Sequence, residues 1–101
     1  MNNNLISKTI TECAKYYDIS KVKLLGKCRN SKVIKARQMT MYVLNVCLDC
    51  SFSEISTWFN RGIATVAHNI SAIDQDISVN ANQKNDFINI RTIINVHINN
   101  A

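Results

Sequence analysis

Apolar residues recur along this chain at three- and four-residue intervals almost from end to end, and that spacing predicts helices in spite of the many isoleucines and valines. Leu5, Ile6, Ile10, Cys13, Ala14 and Tyr17 share one face of a first helix, which Asn4 can cap. Ser20 can cap a short second helix through Val22, Leu24 and Leu25, ending near Gly26, a residue suited to the left-handed conformation. A loop from Lys27 to Lys32 leads into a longer helix from about Val33 to Leu48. Its stripe is Ala36, Met39 or Thr40, Val43, Leu44 and Cys47, with Tyr42 and Asn45 pointing elsewhere.

Ser51 followed three residues later by Glu54 fits a capping box, opening a short helix that carries Ile55, Trp58 and Phe59. Asn60-Arg61-Gly62 then supplies a tight turn whose glycine tolerates positive φ. The next helix buries Val66, Ala67, Ile70, Ile73 and Ile77 and leaves Arg61, Ala64, Thr65, His68, Asn69 and Ala72 on the open side. Two helices joined by a three-residue, glycine-containing turn form either a helix-turn-helix or an ordinary antiparallel pair. Ser78 to Asn82 reads as a loop, and a final helix from about Gln83 to Ile98 packs through Phe87, Ile90, Ile93, Ile94 and Val96, with His97 solvated near its end. The expected fold is all-α: one compact domain, residues 1–101, of about five to six helices containing a helix-turn-helix.

Charge separates the two readings of the helix pair. Between Asp18 and Asp49 lie seven basic residues, Lys21, Lys23, Lys27, Arg29, Lys32, Lys35 and Arg37, and no acidic one; the remainder holds five basic against seven acidic residues. Such a block is either a polyanion-binding face or a solvated basic surface that aids solubility. In the helix after the turn, Asp74 and Asp76 lie at the far C-terminal end. Phosphates would therefore meet the acid-free end that carries the positive helix pole.

Other chemistries find little support. With 47% apolar residues the 101-residue chain can bury a core, but its longest apolar runs are far short of the roughly 18 residues of a membrane span. Met1-Asn2-Asn3-Asn4 lacks a charged lead and a hydrophobic block, so a cytoplasmic, bacterial or phage-encoded protein is expected, without a membrane. Cys47-Leu48-Asp49-Cys50 has Cys-x-x-Cys spacing, yet Cys13, Cys28, His68 and His97 form no second close pair. The cysteines read as core or surface thiols, with metal or redox chemistry as the alternative, and no metal site is assigned. Glu12, Glu54 and His68 each have a helix-surface or cap explanation, so no catalytic residue is assigned and an enzyme is not expected. The two glycines, Gly26 and Gly62, cannot make a Gly-x-x-x-x-Gly-Lys phosphate loop, and no cofactor is assigned.

The runs Cys13-Ala14-Lys15-Tyr16-Tyr17, Lys23-Leu24-Leu25-Gly26-Lys27 and Lys35-Ala36-Arg37-Gln38-Met39-Thr40-Met41 resemble the C-terminal DNA-binding domain of the bacterial replication initiator DnaA. The resemblance continues through Ser53-Glu54-Ile55, Phe59 and Thr65-Val66-Ala67-His68 into Asp86-Phe87 and Ile90-Arg91-Thr92. It implies a double-stranded DNA partner, an arginine in the minor groove at Arg29, and a DNA-contacting pair at Arg37 and Gln38. Lys27, Lys32, Lys35, Arg37 and Gln38 would then hold the backbone, and Arg61, Thr65, His68 and Asn69 would face the major groove.

One departure stands out. Where that family has Gly-Gly-Arg-Asp-His-Thr-Thr, this chain has Asn60-Arg61-Gly62-Ile63-Ala64-Thr65, one residue shorter, and Gly62 and Ala64 offer no polar side chain to a base edge. Recognition of the family's standard site is not expected even where backbone binding persists. Ile63 either touches a thymine methyl or folds back onto the core. The expected function is that of a DNA-binding protein standing alone, regulating replication or transcription by occupying sites. The alternative is a protein-interaction module that has lost sequence readout, which exposed Trp58 and Tyr42 would favour.

Overall fold

A computed structural model describes residues 3–99 of the chain. The described residues form six helices: α1 (Asn3–Tyr16), α2 (Lys21–Leu25), α3 (Ser31–Leu48), α4 (Phe52–Phe59), α5 (Ile63–Val79) and α6 (Ala81–Asn99). The proposed caps at Ser20 and Ser51 are both present, the second as a complete capping box with Glu54. α1 begins at Asn3, so Asn4 lies inside the helix rather than ahead of it. Met1 and Asn2, part of the N-terminal run read above, lie outside the described residues.

α3 is the axis of the fold, with α1, α2, α4, α5 and α6 all packed against it. Because neighbours cover it on most sides, its buried set runs well beyond one stripe and includes both Met39 and Thr40. Tyr42, expected to point away, is buried: its ring meets Phe87 of α6 edge-on at 5.2 Å and its hydroxyl donates to Asp74 at 3.3 Å. Asn45 is half-buried and donates to the Cys50 carbonyl at 2.9 Å. The core combines Ile6 and Ile10 of α1, Leu24 of α2, Val43 and Leu44 of α3, Ile55 and Phe59 of α4, Ile70 and Ile73 of α5, and Ile90 and Ile94 of α6. Cys13 belongs to this core, where burial pushes its thiol up to about 12.

Several boundaries differ from the sequence reading for identifiable reasons. α3 starts at Ser31 because Asn30 caps it, accepting from the Lys32 amide at 2.9 Å, so Lys32 is helical. The expected loop from Ser78 to Asn82 shrinks to Asn80, whose side chain accepts from the Asn82 and Gln83 amides and so opens α6 directly after α5. Val96 faces solvent rather than the core. His97 is half-buried with Nε2 3.4 Å from Glu12 rather than fully solvated.

Neither glycine adopts positive φ; among the described residues the left-handed ones are Asp18, Asp49 and Asn60, which follow α1, α3 and α4. Asp18 follows α1 in a turn closed by the Ile19 amide on the Ala14 carbonyl at 3.0 Å. Gly26 is required instead by close approach, since a Cβ there would sit 2.9 Å from the Val22 carbonyl oxygen. Gly62 has φ −68°, occupies the N-cap of α5, and has no atom within 4 Å of a Cβ built on it. The two glycines should therefore respond oppositely. In urea denaturation, Gly26→Ala should lose about 1–3 kcal/mol, while Gly62→Ser should be neutral or gain a few tenths of a kcal/mol by supplying a cap.

Candidate nucleic-acid interface

The segment between α2 and α3 is shaped from inside by two arginines. Arg37, on the second turn of α3, is only 7% exposed. Its Nε donates to the Leu24 carbonyl at 2.9 Å, and its Nη2 donates to the carbonyls of Lys23 and Cys28, each at 3.1 Å. These oxygens lie at the C-terminal end of α2 and just beyond it, where helical carbonyls lack intrahelical donors and the helix pole is negative. Arg61, in the turn between α4 and α5, reaches the same segment from the other side. Its Nη2 donates to the Gly26 carbonyl and its Nη1 to the Phe59 carbonyl, both at 2.6 Å. The Arg37 guanidinium is pushed below its ordinary pKa, first by loss of water and then by the charge of Arg61.

With the carbonyls facing inward, the side chains of Lys27 and Arg29 are exposed at the surface. They border an open concavity of about 400 Å³ that is also lined by Cys28, Ile34, Arg37, Gln38, Arg61 and Asn69, with no acidic residue on its wall. Gln38 donates from Nε2 to Oδ1 of Asn69 at 3.1 Å, and Asn69 in turn points its Nδ2 at Met41 Sδ, 3.6 Å away. The concavity thus joins the loop, α3 and the second helix of the helix-turn-helix.

Six of the ten sequence-selected residues, Lys27, Arg29, Arg37, Gln38, Arg61 and Asn69, meet around this hollow. The other four do not line it. Lys32 is exposed in the first turn of α3, and Lys35 extends towards α5, 4.0 Å from Asp76. Thr65 and His68 are exposed along the N-terminal half of α5. Arg37 and Arg61, read as DNA-facing, are turned to backbone carbonyls, Arg37 through three hydrogen bonds and Arg61 through two; Asn69 is committed to Gln38.

Cys28, considered from sequence only as a thiol, and Ile34 also line the hollow, and Asn30 fixes where the loop ends. Only Asn30 carried a local signal, a capping residue just ahead of an apolar periodic run. Trp58 is half-buried and packs against the core, so neither it nor Tyr42 forms an exposed aromatic patch. Among the described residues no three His, Cys, Asp or Glu side chains converge as metal ligands, and no helix is long and apolar enough to cross a membrane.

Residues 6–73, from α1 into α5, match the family described as the bacterial DnaA protein helix-turn-helix. The chain is 35% identical over 80 residues to the chromosomal replication initiator protein DnaA of Buchnera aphidicola subsp. Baizongia pistaciae, covering 78% of this chain and 18% of that protein. It is 32% identical over 74 residues to chromosomal replication initiator protein DnaA 1 of Chlamydia pneumoniae, covering 73% of this chain and 16% of the relative. With the DnaA of Mesorhizobium japonicum it shares 37% identity over 70 residues, covering 68% of this chain and 14% of the relative. The chain spans less than a fifth of the length of these curated relatives.

The carbonyl cluster around Arg37 makes a stability prediction that a surface cation would not. Arg37→Lys preserves the charge but replaces the planar guanidinium with a point ammonium that cannot match three carbonyls in this geometry. The variant should lose about 1–3 kcal/mol in chemical denaturation followed by circular dichroism. Unchanged stability would show that these three hydrogen bonds do not hold the loop.

Proposed function

Because this chain belongs to the bacterial DnaA helix-turn-helix family, we propose that it binds double-stranded DNA through the loop between α2 and α3 together with the first turns of α5. The observation that carries this reading is the acid-free, cation-lined hollow joining that loop to the helix-turn-helix. Arg29 enters the minor groove, and Lys27, Lys32 and Lys35 hold phosphates on either side of it. Thr65 and His68 face the major groove from α5. Gln38 holds Asn69 in place beside them, and Arg37 and Arg61 act from within by fixing the loop.

Electrostatics at two helix starts supports the assignment. α3 has no acidic residue in its first turn and carries Lys32 there, which adds positive charge to an already positive pole. α5 also lacks an acidic residue in its first turn, and its N-cap Gly62 provides no side-chain acceptor. Each of these ends is stabilised by an incoming phosphate, which supplies the negative charge and the acceptor oxygens that the chain itself omits. The protein-interaction alternative draws no support from Trp58, which packs on the core instead of standing free.

The chain acts by occupying sites on DNA, as a regulator of replication or transcription, and performs no chemistry on it. With Arg37 and Arg61 committed internally, about four cations, Lys27, Lys32 and Lys35 at phosphates and Arg29 in the minor groove, are left to displace counterions from the DNA. The logarithm of the binding constant should then fall against the logarithm of salt concentration with a slope of roughly −3 to −4. Fluorescence anisotropy on a labelled duplex measures this, and a flat response or no binding at low salt would overturn the reading.

Arg29→Lys keeps the charge and should weaken binding to A·T-rich duplexes with narrow minor grooves more than to G·C-rich ones. An equal loss on both would reduce Arg29 to a phosphate contact.

A further inference from the structure

We propose that Ile63 is the specificity-determining residue of this chain, packing on the 5-methyl group of thymine in the major groove. The inference rests on the DNA-binding reading above and adds to it the feature of the duplex that is recognised.

Ile63 opens α5 and is 52% exposed, so it has not folded back onto the core. Gly62 before it is exposed and has no atom within 4 Å of a Cβ position, which leaves the approach to the helix tip open. Ala64 and Thr65, next along, are exposed as well. The first turn of α5 therefore ends in an aliphatic side chain flanked by two smaller groups that each present a methyl.

Exposure alone does not single out Ile63. Val22 and Val79 are 82% and 84% exposed. Their positions differ, however: Val22 is on α2, and Val79 is at the opposite end of α5. Ile63 is at the N-terminal tip of the second helix of a helix-turn-helix, the part of this motif that meets base edges.

Of the polar groups nearby, only the Thr65 hydroxyl shares the first turn, two residues beyond the tip that Ile63 occupies. The Arg61 guanidinium is held by the Phe59 and Gly26 carbonyls, and Asn69 accepts from Gln38. His68 is exposed but lies more than one turn further along α5. Of the groups that bases display in the major groove, the thymine methyl is the apolar one, and an aliphatic side chain gains by covering it. At about one buried methyl, the discrimination is about fourfold.

The test begins with selection of duplexes from a random DNA pool by the wild-type protein. The selected duplexes are then resynthesised with single thymines replaced by deoxyuridine, which keeps the base pair and removes only the methyl. The expected result is enrichment of thymine at one or two adjacent positions, with about fourfold weaker binding when deoxyuridine stands there. Ile63→Ala should bind the thymine and deoxyuridine duplexes equally, and Ile63→Val should retain most of the difference. If Ile63→Ala weakens binding to both duplexes equally and preserves their ratio, its role is structural and the proposal falls. DNA binding with no thymine enrichment or no deoxyuridine effect overturns this inference alone, whereas no duplex binding at low salt overturns the DNA-binding reading with it.

Discussion

The burial of the Arg37 guanidinium is the constraint on which the functional surface depends. Moving a cation out of water is expensive, and the cost is offset here by carbonyl dipoles of Lys23, Leu24 and Cys28 that have few other donors at the end of α2. The bonds fix the direction of the chain as it leaves α2. Arg61 takes the Gly26 carbonyl from the opposite side, so the loop is tied both to α3 and to the turn of the helix-turn-helix. An inward-facing backbone leaves Lys27 and Arg29 on the outside. The same four carbonyls thus explain how a short segment without regular structure can hold a cationic surface in a fixed relation to α5.

The starts of α3 and α5 are suited to an anion. A first helical turn ordinarily gains from acidic residues, yet α3 and α5 have none there. α4, away from the hollow, has the opposite character: Glu54 sits in its first turn and completes a capping box with Ser51. α1, α2 and α6 likewise have no acidic residue in the first turn, so the carboxylate cap is particular to α4, and the starts of α3 and α5 differ from the others by their place beside the hollow. Lys35 has a counter-charge at Asp76, 4.0 Å away, and with the lysine largely in water the pair contributes little.

The parts of the fold that follow from neighbours in sequence could be read from the chain. The apolar stripes of α1, α4 and α5, the caps at Ser20 and Ser51, and the turn at Asn60 to Gly62 all depend on residues a few positions apart. Positive φ in that turn falls on Asn60 rather than on Gly62, because asparagine also tolerates the left-handed region. Gly26 drew attention for the same conformational freedom, but its real requirement is the proximity of the Val22 carbonyl, which spacing alone does not reveal. Burial of Tyr42 depends on α6, far away in sequence. Among the site residues, the exposed lysines and Arg29 carry their chemistry on the surface, where charge patterning reveals it. The commitments of Arg37 and Arg61 are to carbonyls 13 and 35 residues distant, so the tertiary fold decides that these two arginines face inward.

The central claim, that the loop and the start of α5 form one DNA-binding surface, is tested most directly by titrating isotope-labelled protein with a short duplex and following backbone amide shifts by NMR. The account predicts the largest changes at Lys27 to Lys35 and at Ile63 to Asn69, appearing together at the same DNA concentrations, with the outer face of α6 around Ile88 and Val96 unchanged. Shifts concentrated on α6, or confined to the loop while α5 stays silent, would contradict it.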